Sequence, residues 1–285
     1  MQGLASSGRH DLVVQRLVVG RAVAVEVAGA DHVGVLAGDA LDTVDRSTYV
    51  ARMATVLSVN VGQAQPSGHA STRVTGIDKR PVTNAVAVRA PGSRRDGLGS
   101  GLVGDMICDR RHHGGDDQAV YAYAREDLDT WAAALGRPLG NGSFGENLTT
   151  GQLDLTAARI GERWRVGEAL VLEVSSPRIP CRTFAGWLGE HGWIRTFTRA
   201  VRPGAYLRVI EPGSVQHGDS IVVVRRPEHD VTIGVVFRAL TREPLLLERV
   251  LAAGALPDSD QPAARRRLDR ALQATARKKR PATSA

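Results

Sequence analysis

Short runs of valine, isoleucine and leucine, separated by glycine and proline, recur along the chain from Met53 onward. Aliphatic and β-branched side chains pack well on a pleated, half-buried surface, so such runs are typical of β-strands. The pattern therefore predicts a mainly β fold of the α+β class. The predicted strands cover residues 55–61, 81–89, 101–108, 118–122, 169–175, 206–210 and 220–225.

Helical spacing interrupts this strand pattern twice. Apolar residues at i, i+3, i+4 and i+7 predict one helix over 126–135, with Gly136 at its C-terminal cap, and a second helix that starts at Cys181. After Pro227 the helical spacing returns and predicts a small three-helix appendage. Because its hydrophobic pattern is separate from that of the strands, we expect truncation after Arg226 to leave a folded β domain.

The pattern divides the chain into three regions. Residues 1–52 are rich in Val, Ala and Gly, show no convincing period and are interpreted as a poorly packed N-terminal extension. Met53 directly precedes the first predicted strand, and we expect it to be the natural start of the protein. Residues 53–226 form the predicted main domain, and residues 227–285 form the small helical domain with its basic tail.

The net charge of +7, from 37 Lys and Arg against 30 Asp and Glu, is concentrated at one end of the chain. Residues 263–285 hold eight basic residues and one acid, so the remainder of the chain is neutral. A neutral body with a basic end is typical of a solvated tail. We therefore expect no nucleic acid partner, residues 263–285 being the only candidate for binding one.

Composition excludes several classes of protein. Two cysteines among 285 residues exclude a disulfide scaffold. Every stretch of about 18 apolar residues is broken by charge, so we expect no membrane span. The N-terminal run lacks the uninterrupted apolar stretch of a secretory signal and is too acidic for a transit peptide. These features predict a cytoplasmic protein in a reducing environment.

Two polar turns are candidates for chemistry. Lys79 and Arg80 enter a predicted strand, as either a solvated turn or an anion site. The second turn is a pair of histidines followed by a pair of glycines: His112, His113, Gly114 and Gly115. Adjacent glycines let backbone amides approach a ligand, and imidazoles exchange protons near neutral pH. A plain polar loop is the alternative. A zinc site that adds Cys108 has weaker support, and Cys108 is expected to be an inert core residue.

Two further turns combine polar side chains with glycine or proline. Glu146 and Asn147 place a carboxylate beside an amide, which suits a ring with several N–H and C=O groups; a simple Asx-type turn is the alternative. Cys181 follows a proline turn at a predicted helix start, between Arg178 and Arg182. Positive charge and a helix start both favour a thiolate, so Cys181 is a candidate metal ligand or nucleophile.

Taken in order, these clusters resemble one family. Five ordered motifs carry the resemblance: Gly101-Leu102-Val103-Gly104-Asp105, His113-Gly114-Gly115, Phe144-Gly145-Glu146-Asn147-Leu148, Ile160-Gly161 and Pro177-Arg178-x-Pro180-Cys181. Over about residues 55–225 the chain resembles a MOSC domain, the C-terminal domain of molybdenum cofactor sulfurases. It is most similar to stand-alone bacterial MOSC proteins that confer resistance to hydroxylaminopurine and carry a small helical C-terminal domain.

The resemblance implies a β-rich, barrel-like fold that binds molybdenum cofactor, a pterin with a dithiolene and a phosphate. It assigns the metal to Cys181, whose soft thiolate suits molybdenum. Cations and glycine-loop amides are expected to hold the phosphate, and a carboxylate and an amide the pterin edge. The expected pocket residues are Lys79, Arg80, His113, Gly114, Gly115, Phe144, Glu146, Asn147, Arg178 and Arg182.

A second cofactor of the full sulfurases, pyridoxal phosphate, is not expected. It binds in an N-terminal aminotransferase domain, which residues 1–52 are too short to form. A Schiff-base lysine is also hard to supply, because Lys79 is the only lysine outside the tail.

Three functions compete at this stage. The first is an oxidoreductase that reduces N-hydroxylated compounds such as N-hydroxylated bases, with protons from His112 or His113 and electrons from an external electron-transfer protein. The second is a non-catalytic carrier of molybdenum cofactor or sulfur that uses Cys181 as ligand or persulfide site. The third is a nucleic-acid-associated protein that depends on the basic tail.

Overall fold

The structure, a computed structural model, describes residues 53–279 and the backbone of four strands that precede them. The chain divides into two compact units, Met1–Arg52 and Met53–Ala285. In the first unit, the strands form an antiparallel sheet in sequential order, although the sequence shows no convincing period there. The predicted poor packing of residues 1–52 concerns side chains outside the described residues. The strands are β1 Val14–Val19, β2 Ala22–Val27, β3 His32–Ala37 and β4 Ala40–Asp45.

The second unit is built on one mixed sheet. The strands of this unit are β5 Thr55–Gly62, β6 Gln65–Pro66, β7 Val74–Thr75, β8 Lys79–Val82, β9 Val86–Val88, β10 Val120–Ala124, β11 Leu148–Gly151, β12 Arg163–Val166, β13 Leu170–Pro177, β14 Ala205–Glu211, β15 Gly213–Val215 and β16 Ile221–Arg225. Eight of them form the sheet in the order β16-β12-β13-β14-β10-β11-β5-β8. Strands β10 and β11 are parallel, and the other ladders of this sheet are antiparallel.

The main sheet does not close into the expected barrel. Its order ends at β16 on one side and β8 on the other. One isolated bridge, between Thr55 and Ser220, links the start of β5 to the turn before β16. Strand β8 pairs with β5 over Val59–Gly62. The edge strands β16 and β8 therefore do not form a ladder with each other.

Most of the predicted strands are confirmed. Strands β5, β10, β13, β14 and β16 lie where the sequence pattern places them. The predicted strand 81–89 is two short strands, because a bend around Asn84 separates β8 from β9. The predicted strand 101–108 is wrong: the segment forms only one isolated bridge, at Leu102, and its amides bond to loops and strand ends. The sequence pattern missed β11 and β12, which are four residues each.

The described residues form six α-helices: α1 Arg125–Leu135, α2 Arg182–Leu188, α3 Trp193–Ala200, α4 Ile233–Thr241, α5 Leu247–Ala252 and α6 Gln261–Lys279. Helix α1 ends as predicted at Gly136, whose φ of 64° is the left-handed conformation that glycine adopts without strain. Cys181 is the N-cap residue of α2, as the spacing predicts. Helix α3 was not predicted. Among the described residues, no helix is long and apolar enough to cross a membrane.

The buried hydrophobic residues form two clusters, one mainly aliphatic and one mainly aromatic. The aromatic part centres on Phe144, whose ring lies 4.9 Å from Tyr123, 5.1 Å from Phe184 and 5.7 Å from Trp193. These rings come from β10, α2 and α3, so the cluster holds both helices against the sheet. Tilted and edge-to-face contacts of this kind stabilise beyond simple burial.

The C-terminal helices share this core rather than forming a separate one. Ile233 and Val236 of α4 are fully buried in the same aliphatic cluster as Leu172 of β13. Phe237 joins the aromatic part, with its ring 6.2 Å from that of Phe197. The packing therefore reverses the expectation drawn from the hydrophobic pattern alone.

We predict that truncation after Arg226 abolishes cooperative unfolding. Each buried side chain lost with the helices contributes about 1.5–3 kcal/mol, and whole domains are stable by only about 5–15 kcal/mol. Thermal unfolding followed by circular dichroism measures this. Truncation after Asp269, which removes mainly exposed residues of the described part of α6, is the control and should melt near the full chain. A sharp, native-like transition without residues 227–285 would contradict the prediction.

Candidate functional site

A cleft of about 670 Å³, including its open mouth, lies at the end of strands β10, β13 and β14. The cleft is lined by parts of segments 70–79, 106–121, 145–147 and 178–183, together with Tyr206.

Strand register brings three side chains of the cleft together. Tyr121 on β10 pairs directly with Tyr206 on β14, and their rings lie 4.9 Å apart. Tyr206 also pairs with Ser176 near the end of β13. The chain leaves β13 at Pro177, so Arg178 follows at the same end of the sheet. Sequence separation hides this arrangement, because the three strands come from distant parts of the chain.

Arg178 is buried in one wall between two aromatic rings. Its guanidinium carbon lies 4.3 Å from the ring centre of Phe184 and 5.0 Å from that of Tyr121, which is cation–π geometry. One terminal nitrogen donates to the carbonyl oxygen of Phe144. Its Nε is buried and has no hydrogen-bond partner among the described residues. A buried donor without a partner is costly, so this nitrogen is a candidate contact for a ligand.

The charge of Arg178 is secure despite its burial. Burial alone would lower its pKa, but the hydroxyls of Tyr206 and Tyr121 and the thiol of Cys181 outweigh this and raise the pKa. The guanidinium is therefore a fixed positive charge in the wall. Burial in turn raises the pKa of Tyr206, although Arg178 opposes that shift, so this phenol keeps its proton at neutral pH.

Both cysteines line the cleft as free, partly exposed thiols. Cys181 lies where the sequence predicts, at the start of α2. The prediction that Cys108 is an inert core residue is wrong, because its segment is a loop rather than a strand. Desolvation is the main reason that the pKa of the Cys108 thiol is raised; the charge of Lys79 opposes it and that of Asp105 adds to it. Cys108 is therefore a thiol at neutral pH.

A buried carboxylate organises the part of the site around Lys79. Asp105 forms an ion pair with Lys79 and accepts hydrogen bonds from the amide of Gly62 at 2.7 Å, the hydroxyl of Ser100 at 2.7 Å and the side-chain amide of Asn147 at 2.9 Å. Burial lowers the pKa of Lys79, and the carboxylate of Asp105 opposes that shift. These contacts tie the loop before Cys108 to β5, β8 and the start of β11.

The turn before β11 uses its carboxylate internally. Glu146 is fully buried and accepts from the amides of Gly142 at 2.6 Å and Phe144 at 2.9 Å, and from the hydroxyl of Thr149 at 2.9 Å. Burial raises the pKa of Glu146, and these hydrogen bonds oppose the shift. Neither Glu146 nor Phe144 lines the cleft, whereas Asn147 does.

Asn147 reaches the cleft with both ends of its amide engaged. Its nitrogen donates to Asp105, and its oxygen accepts from the backbone amide of Tyr121 at 3.1 Å. The structure therefore places Glu146 behind the wall and gives Asn147 a bracing contact between strands. Of the two side chains expected to recognise a pterin edge, only Asn147 lines the cleft.

The two histidines are in different surroundings. His113 lines the cleft, and its pKa is lowered to about 4 because burial and the nearby charge of Arg178 disfavour the imidazolium. It is thus neutral at pH 7. His112 is 70% exposed, and its Nδ1 lies 3.0 Å from a carboxylate oxygen of Asp109. Of the two, only His113 can reach a ligand in the cleft.

The remaining predicted residues are divided. Gly114 lines the cleft, and Gly115 lines a neighbouring one. Arg80 points to solvent and pairs with Asp78 at 2.7 Å. Arg182 is exposed and is not part of the cleft lining. The structure therefore brings together five of the predicted positions besides Cys181: Lys79, His113, Gly114, Asn147 and Arg178.

Sequence reasoning missed four polar residues of the site. Tyr121, Tyr206 and Gln118 line the cleft, and Gln118 has a buried side-chain oxygen without a partner in the described part of the chain. The fourth, Asp105, stands in the sequence only as the last residue of the motif Gly101–Asp105. All four are polar side chains within apolar strands or turns. Such a residue indicates a functional site only once strand register shows which other polar side chains lie beside it.

The described residues hold no group of three or more His, Cys, Asp or Glu that could bind a metal ion by themselves. A metal in this cleft would therefore need additional ligands that arrive with it. Soft metals favour thiolate ligands. Cys181 is the partly exposed cysteine closest in sequence to the buried guanidinium of Arg178, and both residues line the cleft.

The fold and the cleft define a MOSC-type domain, and the chain belongs to the MOSC domain family. The family model for the MOSC domain matches residues 109–222. The chain is 33% identical over 221 residues to the uncharacterized protein YflK of Bacillus subtilis, covering 76% of this chain and 96% of that protein. It is 29% identical over 168 residues to a protein named reductase of Gibberella moniliformis, covering 56% of this chain and 29% of that protein.

Solved structures agree with this assignment. The crystal structure of YiiM from Geobacillus stearothermophilus superimposes with a TM-score of 0.61 and 26% identity, over 75% of this chain and 99% of that chain. The α+β class predicted from the sequence is thus confirmed, with an open sheet in place of a closed barrel and with helices after the sheet.

We predict that Asp105→Ala destabilises the protein by about 3–5 kcal/mol, because it leaves the ammonium of Lys79 buried without its partner. The free energy of unfolding in urea measures this. Asp129→Ala is the control: it breaks a pair with Arg125 on the surface of α1 in which the carboxylate is 66% exposed, and surface pairs contribute about 0–1 kcal/mol. Equal losses in the two variants would contradict a structural role for the Asp105 network.

A second prediction follows from the lowered pKa of His113. Between pH of about 6.5 and 4 the unfolded chain binds a proton there that the folded protein does not, so folding becomes less favourable as the pH falls through this window. This cost is absent above pH 6.5.

His113→Gln should therefore reduce the stability difference between pH 7 and pH 4.5 by about 2 kcal/mol relative to the native protein. Urea unfolding at both pH values measures it. His112→Gln is the control, since that side chain is mostly exposed, and it should leave the difference unchanged. The same difference in His113→Gln as in the native protein would show that His113 is not buried as a neutral imidazole.

Proposed function

We propose that the cleft binds molybdenum cofactor and that the protein reduces N-hydroxylated compounds, such as N-hydroxylated bases, to the corresponding amines. The single observation that carries the proposal is the shared location of three groups. The partly exposed thiol of Cys181, the unpartnered Nε of Arg178 and the ammonium of Lys79 line one cleft of a MOSC domain.

The residues of the cleft suit such a cofactor. Cys181 offers the soft thiolate that molybdenum favours, and the rest of the coordination would come from the dithiolene of the cofactor. The guanidinium of Arg178 supplies positive charge and a free N–H donor for its polar ring and phosphate. The ammonium of Lys79, which is paired with Asp105, adds charge at the cleft lining. The buried side-chain oxygen of Gln118 supplies an acceptor for a ring N–H.

The proposed reaction consumes two electrons and two protons. It breaks the N–O bond of an N-hydroxylated compound and releases the amine and water. When bound, the molybdenum would supply the two-electron redox chemistry. We propose that an external electron-transfer protein supplies the electrons. The described residues contribute binding, orientation and control of protons.

Two neutral side chains of the cleft can control protons. His113 is neutral at pH 7 and can donate or accept a hydrogen bond without adding charge beside Arg178. Tyr206 keeps its phenolic proton, because burial raises its pKa, and can orient the substrate as a donor. Because His112 lies outside the cleft, the proposal assigns the role once shared by both histidines to His113 alone.

We predict that Cys181→Ser abolishes both molybdenum content and turnover while the protein remains folded. A hydroxyl is a harder and weaker ligand for molybdenum than a thiolate, although serine has nearly the same volume. Metal and pterin analysis of the purified protein, and reduction of hydroxylaminopurine with an artificial electron donor, measure the two effects. Circular dichroism and melting should stay near the native values.

Cys108→Ser is the matched control, because it makes the same atomic change in the same cleft. It should retain molybdenum and turnover. Full metal content in Cys181→Ser would contradict the ligand assignment. Bound cofactor in the native protein without any reduction of N-hydroxylated compounds would favour the alternative, a carrier of cofactor or sulfur.

A further inference from the structure

A second cleft adjoins the first across Gly114, which lines both. Three arginines line it: Arg94, Arg95 and Arg111, and we call it the arginine cleft. Ser259, in the loop before α6, lines it as well. Arg95 and Arg111 also border a third cleft, whose lining shares Cys108 and Asp109 with the first cleft.

The arginine cleft has an excess of uncompensated positive charge. Among the described residues, none of its three guanidinium groups takes part in an ion pair or a side-chain hydrogen bond. Each of its two acids already has a partner. Asp116 accepts from the amide of Gly92 at 2.8 Å, and Asp117 pairs with Arg208 at 2.6 Å. An anion that enters the cleft therefore meets free guanidinium groups and acids that already have partners.

The backbone that carries these arginines is held in place. Gly115 has a φ of 78°, and a Cβ there would lie 2.8 Å from the Cα of Arg94, so the two backbones are in close contact. The amide of Asp116 donates to the carbonyl of Gly92 at 3.0 Å, and the amide of Gly97 donates to that of Ser93 at 2.9 Å. Preorganised donors bind an anion at a lower entropic cost.

We propose that the arginine cleft binds a phosphomonoester of the substrate, so that the protein acts on N-hydroxylated nucleotides in preference to free bases. This inference rests on the proposed function for the reaction in the first cleft. The guanidinium group presents paired N–H donors that match phosphate oxygens. A nucleotide with its base in the first cleft and its phosphate beyond Gly114 would occupy both sites.

The charge distribution favours the substrate over the cofactor as the source of this phosphate. Lys79 and Arg178 already line the first cleft together with Cys181, and the proposed function assigns them to the cofactor. The arginines lie on the other side of residues 113–115 and form part of a separate lining. Arg94 is still close enough to His113 for its charge to contribute to the lowered pKa of that imidazole.

The first test measures binding alone. Adenosine 5′-monophosphate, adenosine and inorganic phosphate are titrated into the full-length, cofactor-loaded protein by calorimetry at low salt. The variant R94Q/R95Q/R111Q should weaken binding of the monophosphate at least tenfold and leave adenosine unchanged. The matched control is R265Q/R266Q/R270Q, which removes three exposed arginines from α6 and should bind like the native protein. Circular dichroism checks that both variants fold.

Two results of this titration would overturn the inference. One is equal affinity of the native protein for adenosine and its monophosphate. The other is an equal loss of affinity in both triple variants, which would reduce the effect to net charge. If the first variant unfolds, the single substitutions R95Q and R111Q, both at exposed positions, decide the question in the same assay.

The second test measures turnover with an N-hydroxylated base, its nucleoside and its nucleoside monophosphate, using a small-molecule electron donor. We expect kcat/KM to be at least tenfold higher for the monophosphate, and the preference to disappear in R94Q/R95Q/R111Q. Reduction of all three compounds at equal rates would overturn this inference and leave the proposed function intact. Reduction of none would overturn the proposed function, and the titration would still decide whether the cleft binds phosphate.

A third result would assign the arginines to a different partner. If R94Q/R95Q/R111Q keeps the affinity for the monophosphate and loses turnover only with a protein electron donor, the cleft docks an acidic protein. That outcome overturns the phosphomonoester assignment.

Discussion

The buried ion pair between Lys79 and Asp105 is the constraint on which one wall of the cleft depends. Removing two charges from water costs several kcal/mol each, and only a complete set of partners offsets that cost. Here the partners are Gly62, Ser100 and Asn147, which belong to different strands and loops. The loop that presents Cys108 is therefore positioned by a network that is stable only when complete.

The wall around Arg178 is organised on a different principle. Arg178 has no carboxylate partner among the described residues and is stabilised by two aromatic faces and one carbonyl oxygen. A cation held by rings keeps its donors available, whereas a cation held by a carboxylate uses them. One wall thus supplies rigidity and the other supplies unpaired donors, and Cys181 lies on the side of the unpaired donors.

The sequence pattern predicts those features of the fold that depend on neighbouring residues in the chain. Gly136 and Cys181 lie at helix ends whose position follows from apolar spacing and capping, and both were predicted correctly. The strand at 101–108 was wrong because tertiary hydrogen bonds to Gly62 and Ala87 hold that segment in a loop, despite its apolar residues. A hydrophobic run cannot reveal which backbone groups its own amides will meet.

Local sequence also fails to show which side chains of the site reach the cleft. Glu146 and Asn147 are neighbours in sequence, yet the turn directs one carboxylate to its own amides and the other side chain to the cleft. Tyr206 entered the site only through its register against Tyr121 and Ser176. Residue type and order therefore indicated the kind of chemistry, and strand pairing was needed to decide which side chains take part.

The bridge between Thr55 and Ser220 has a consequence for the synthesis of the protein. Its two residues are 165 positions apart in the chain. The partner of β5 on the side towards the middle of the sheet, β11, is also synthesised much later than β5. At about 5–20 residues per second, roughly ten to thirty seconds pass on the ribosome between the two ends of this bridge. Contacts of such long range form slowly and leave apolar strand edges exposed meanwhile. The nascent chain thus passes through a period in which β5 is paired only with β8, on one of its edges, and aggregation competes with folding until the last third of the domain emerges.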